Sequence, residues 1–155
     1  MEYSRRALII REETGDQDGV ATSFDYVGYI YLKQNAIDSS RTYFEKSLAI
    51  KNNMVSSADE LLWSTTNLYL TYKNLGIEYD EKEIHRLIKE IEYVGFTLNY
   101  AIYQLLEIPS YLETSYSQVQ ELADNLEPDI KAKFLSYPIP SAIVEEWEKV
   151  TSSKN

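Results

Sequence analysis

The chain has 155 residues, 44% of them hydrophobic and 26% charged, with 25 acidic against 15 basic side chains and a net charge of −10. That is the length of one domain with enough apolar material for a core, which excludes a disordered chain. The acidic balance opposes a nucleic-acid partner, and the absence of cysteine beside a single histidine, His85, excludes disulfide scaffolds, thiol catalysis and Cys/His zinc sites.

No apolar run reaches the roughly 20 residues of a membrane span, and the opening MEYSRRALIIREE carries no signal-peptide core. A cytoplasmic chain without a membrane partner is expected. All four prolines (Pro109, Pro128, Pro138 and Pro140) fall in the last third, and only five glycines occur. Proline is poorly tolerated inside helices, so this spacing predicts helix after helix.

Apolar periodicity places them. A helix over 2–14 carries the stripe Tyr3, Ala7 and Ile10. The next, over 18–33, has Val20, Phe24, Val27, Ile30 and Tyr31 at helical spacing. The third, over 37–53, turns Ile37, Tyr43, Phe44, Leu48 and Ile50 to one side, and the fourth, over 57–74, turns Leu61, Thr65, Leu68 and Tyr72. A fifth is expected over 80–94, with Gly95 as its stop, then 97–108, 110–125 and one or two short helices after Pro128. Short connections such as Gln34-Asn35 and Leu75-Gly76 require antiparallel neighbours.

The chain also repeats itself. Residues 2–11 align with 42–51 at an offset of 40, with Tyr, Leu, Ile and a basic residue in register, and 27–31 align with 68–72 at an offset of 41. Two helices in about 40 residues are the signature of an α-solenoid. Phe24-x-x-Val27-Gly28-x-x-Tyr31 followed by Ser40-x-x-x-Phe44-x-x-Ser47 resembles the tetratricopeptide repeat in its longer variety. The resemblance implies an all-α chain of antiparallel helix hairpins stacked as a right-handed α-solenoid. It divides the chain into repeats over 1–126, the first incomplete, and a capping segment with tail over 127–155. Tyr69 departs from the pattern, standing where Gly is expected. Since the first helix matches the second half of a repeat, either the chain is a piece of a longer array or this helix is a native cap. An exposed N-terminal stripe would favour self-association there. Residues 119–138 resemble the closing segment of helical arrays in large bacterial signalling proteins.

Chemistry-bearing motifs are sparse. Ser39-Ser40 and Ser56-Ser57 have no activating histidine, acid pairs such as Glu145/Glu146 diverge on a helix, and Gly15-x-x-x-Gly19 lacks the Lys-Ser/Thr of a phosphate loop. No catalytic residue, cofactor or metal is expected. The fourteen tyrosines point instead to recognition. In the tetratricopeptide register, Asp25, Tyr29 and Lys33 from one first helix and Trp63, Asn67, Leu70 and Lys73 from the next line a concave groove. The expected function is a non-enzymatic scaffold binding a neutral or basic peptide or protein. The alternative is a regulatory segment of a larger bacterial signalling enzyme or transcription regulator, contacting other domains of its own chain.

Overall fold

A computed structural model describes Ile9, Arg11 and residues 13–152, and these residues form helices joined by turns, with no strand among them. The first expected helix lies largely outside this range, as do Tyr3, Ala7 and Ile10; Ile9, Arg11, Glu13 and Thr14 are helical. Eight helices follow: α1 (Gln17–Lys33), α2 (Ile37–Lys51), α3 (Ala58–Leu75), α4 (Glu81–Ile88), α5 (Phe96–Leu106), α6 (Pro109–Asp124), α7 (Pro128–Leu135) and α8 (Pro138–Ser152).

Local chemistry sets most of these ends. Asp16 caps α1 by accepting from the Gly19 N–H at 2.9 Å. Gly76, at φ 68°, closes α3 in the left-handed region, and the Ile77 N–H reaches back to the Tyr72 carbonyl at 2.9 Å. Pro109, Pro128 and Pro138 each open a helix, where a missing N–H costs nothing.

The chain divides into two compact units, one ending at Glu92 and the other beginning at Tyr93. The junction at 126/127, between the expected repeats and the expected cap, lies inside the second unit. In the first, α1 packs on α2, α2 on α3 and α3 on α4 around Val27, Phe44, Leu62, Ile84 and Leu87. Burying a ring such as Phe44, which is fully enclosed, contributes about 2 kcal/mol. Ser40 Oγ donates to the Gly28 carbonyl at 2.8 Å, while Lys51, at the far end of α2, meets Asp25 earlier in α1. Later residues of α2 thus face earlier residues of α1, so the pair is antiparallel. In the second unit, α5, α6 and α8 enclose Ile102, Leu105, Leu112, Val119 and Ile143.

One side-chain arrangement occurs twice in the first unit. Arg11 donates to the Gly19 carbonyl at 2.7 Å and to Ser23 Oγ at 2.8 Å. About forty residues on, Lys51 donates to the Glu60 carbonyl at 3.2 Å and to Ser64 Oγ at 2.9 Å. Each time, a cation in the last turn of one helix hooks a carbonyl and a serine one turn apart on the next.

The fifth expected helix is shorter than its periodicity suggests: α4 stops at Ile88 rather than 94. The Val94 carbonyl accepts from the side-chain amides of Asn99 at 2.6 Å and Gln118 at 2.9 Å, so this backbone is held in the second unit, off the helical path. Gly95, expected as a helix stop, instead starts one, its carbonyl accepting from the Leu98 and Asn99 N–H groups.

Candidate functional site

The seven positions read as groove residues part into two groups. Tyr29 and Trp63, from α1 and α3, meet with ring centroids 5.6 Å apart and planes tilted by 45°. The Lys33 ammonium lies over the Tyr29 ring, 5.1 Å from its centroid. Both rings are half-buried and Lys33 is exposed, so the three form a partly open aromatic pair, its planes tilted, with a cation over the Tyr29 ring. Desolvation at this spot pushes the Tyr29 phenol pKa up and the Lys33 pKa down. Lys73 is exposed near the end of α3.

Asp25, Asn67 and Leu70 are interior. Asn67 is turned back on its own helix, donating to the Trp63 backbone carbonyl at 2.8 Å. Leu70 is 8% exposed. Asp25 has a different task. Its Oδ2 accepts from Lys51 Nζ at 2.7 Å and from Ser64 Oγ at 2.8 Å, with all three side chains buried. Three helices meet at this trio: α1 brings the carboxylate, α2 the ammonium and α3 the hydroxyl. A lysine within 2.9 Å of a serine is the arrangement of a nucleophilic dyad. Here Ser64 is 0% exposed and the lysine is committed to a carboxylate, so no substrate can reach it. The trio ties helices together.

Among the described residues of the second unit lie clefts that periodicity did not single out, two of them lined by tyrosines. Tyr100 and Tyr103, from α5, stack with centroids 6.3 Å apart and planes 20° apart. Together with Gln104, Glu107 and Glu146 they line a cleft of about 520 Å³. On the other side of α8, Tyr116 stacks on Trp147 at 5.1 Å, beside a smaller cleft of about 320 Å³ reaching Leu135 and Glu148. The available signal was Tyr100 and Tyr103 three residues apart, and so on one helical face. What α8 would bring against that face was not legible.

Among the described residues, no group of three or more His, Asp or Glu side chains is placed to hold a metal ion, and no helix is long and apolar enough to cross a membrane. No family model matches the chain, and comparison with curated proteins and with solved structures returns no match.

Proposed function

We propose that the chain is a non-enzymatic interaction module of tetratricopeptide type, taking a neutral or basic peptide or protein segment on the face shared by α1 and α3. The observation that carries this reading is the Tyr29–Trp63 platform with Lys33 over the Tyr29 ring. Two half-exposed rings with polar tips anchor an apolar side chain at low entropy cost, and the neighbouring cation can meet a backbone carbonyl or a chain end. Two further features support stacked hairpins in a right-handed solenoid. Gly28 sits against the Phe44 ring, as the close-contact glycine of the tetratricopeptide pattern would, and the cation–carbonyl–serine hook recurs about forty residues on. The net charge of −10 favours a neutral or cationic segment, with an on-rate that falls as salt rises.

Affinity capture with the intact chain, followed by titration of the captured partner, tests this. Trp63→Ala removes half of the platform. Lys46→Ala changes a different surface, where the ammonium lies over Phe24 and Tyr43. The reading expects Trp63→Ala to weaken binding at least about tenfold, or ~1.4 kcal/mol, and Lys46→Ala to leave it within about twofold. The reverse order would move the binding face to α2.

A further inference from the structure

The cleft between α5 and α8 has a chemistry of its own, independent of the α1/α3 face. Its walls are two tyrosine rings and two carboxylates, Glu107 and Glu146, with Gln104 the remaining lining residue. No lysine or arginine lines it; Lys149, 3.5 Å from Glu146 Oε2, stands outside the lining and is largely exposed. Aromatic faces beside carboxylates attract a cation.

The shape narrows the class of cation. Tyr100 and Tyr103 lie within 20° of parallel and make a wall of parallel ring faces rather than a box of crossed rings. A planar guanidinium can stack on such a wall while its N–H fork reaches a carboxylate in the same plane, whereas a compact, strongly hydrated ammonium gains less from either contact. The wall is also oriented. Tyr103 donates its hydroxyl to Glu146 Oε1 at 3.1 Å, and Tyr100 reaches the Ala142 carbonyl at 3.5 Å, so both rings are pinned to α8. Burial, reinforced by Glu146, raises both phenol pKa values and keeps both hydroxyls as donors near neutral pH. Glu146 Oε2 pairs loosely with Lys149 at 3.5 Å, and since the lysine is 75% exposed an incoming guanidinium can displace it. Glu107 follows α5 at φ 57°, a conformation in which glycine is the easier residue, and there it adds its carboxylate to the cleft.

We propose that the cleft formed by Tyr100, Tyr103, Glu107 and Glu146 is a binding site for a guanidinium group, stacked on the tyrosine wall and paired with Glu146.

Titration of the full chain with small probes, read on the tyrosine ring resonances, tests the assignment. The probes are a capped Gly-Arg-Gly peptide, its citrulline and lysine analogues, and methylguanidinium. The arginine peptide is expected to give saturable shifts at Tyr100 and Tyr103, with citrulline at least about tenfold weaker and lysine weaker than arginine. Glu146→Gln should weaken the arginine peptide at least about tenfold, and Glu113→Gln, an equal charge change on the exposed face of α6, should not. Should Glu146→Gln lose its helical signal, Glu107→Gln serves as the second variant, with a smaller loss expected. Tighter binding of the peptide than of methylguanidinium assigns the guanidinium to a polypeptide arginine; the opposite order assigns it to a free small guanidine. Equal binding of arginine and citrulline, tighter binding of lysine, unchanged affinity in both glutamate variants, or no saturable shift at these two rings would overturn the site.

Discussion

A Cβ placed on Gly28 would stand 3.2 Å from three atoms of the Phe44 ring, tighter than ordinary van der Waals contact. Phe44 is fully enclosed and has little room to retreat. Gly28→Ala should therefore cost about 1 kcal/mol and Gly28→Leu about 3 kcal/mol, read as a fall in melting temperature; an unchanged melt would mean that Phe44 moves freely. The buried ion pair has the opposite logic, since there the damage comes from removal. Lys51→Met leaves the Asp25 carboxylate interior without its cation and should destabilise the chain by about 3–5 kcal/mol. Adding Asp25→Asn removes the orphaned charge and should recover about half of that loss; additive losses would refute the coupling. A lone Asp within a helical stripe reads as solvent-facing, because charge usually marks the surface. Its partner is 26 residues away and the serine 39. Nothing in local spacing could have announced that three polar side chains on three helices would satisfy one another. The same limit applies to Asn67, whose amide bonds its own helix rather than a ligand.

Helix ends were more legible than helix surfaces, wherever the ending is local chemistry. Ser57 and Glu60, three residues apart, have the spacing of a capping box, and the Glu60 carboxylate accepts from the Ser57 N–H at 3.0 Å and the Ser57 hydroxyl at 2.7 Å. Gly76 and three of the prolines likewise mark boundaries by their own backbone preferences. The α4 terminus was not legible: after Ile88 the backbone tightens into turns, the Glu90 and Ile91 N–H groups bonding the Leu87 and Ile88 carbonyls, and no glycine or proline marks the place. The Ser57–Glu60 cap makes a prediction with a sign. Hydrogen bonds from Ser57 hold the Glu60 carboxyl below its ordinary value of 4.5, so the folded chain binds that proton less readily than the unfolded chain. The cap's contribution is complete above the unfolded value and is lost as pH falls through 4.5 toward the lowered folded value. Ser57→Ala should cost about 1 kcal/mol at neutral pH. The stability difference between the native chain and Glu60→Gln should shrink as the solution is acidified through this range. A difference constant from neutral to acid pH would show that Glu60 does not act as a charged cap.

At the scale of the whole molecule, each unit has its own enclosed apolar set: Val27, Phe44, Leu62, Ile84 and Leu87 before Glu92, then Ile102, Leu105, Leu112, Val119 and Ile143 after Tyr93. The join between them, residues 89–95, is turn and irregular backbone. A protease needs locally extended chain, which helices deny it and loops can supply at low opening cost. Among the tyrosines, Tyr93 is 71% exposed and lies in that join, whereas Tyr26, at 62%, is in the middle of α1. Dilute chymotrypsin should therefore cut first after Tyr93, giving fragments of residues 1–93 and 94–155 by mass. If each unit's core suffices, both fragments will keep strong helical dichroism after separation, at some loss of stability. The Val94 carbonyl is the part of the join that resists, being held by Asn99 and Gln118. Asn99→Ala should accordingly speed the cut. A first cut inside α1 at Tyr26, or fragments that lose their helical signal once parted, would mean that the two apolar sets stabilise each other and that the chain unfolds as one body.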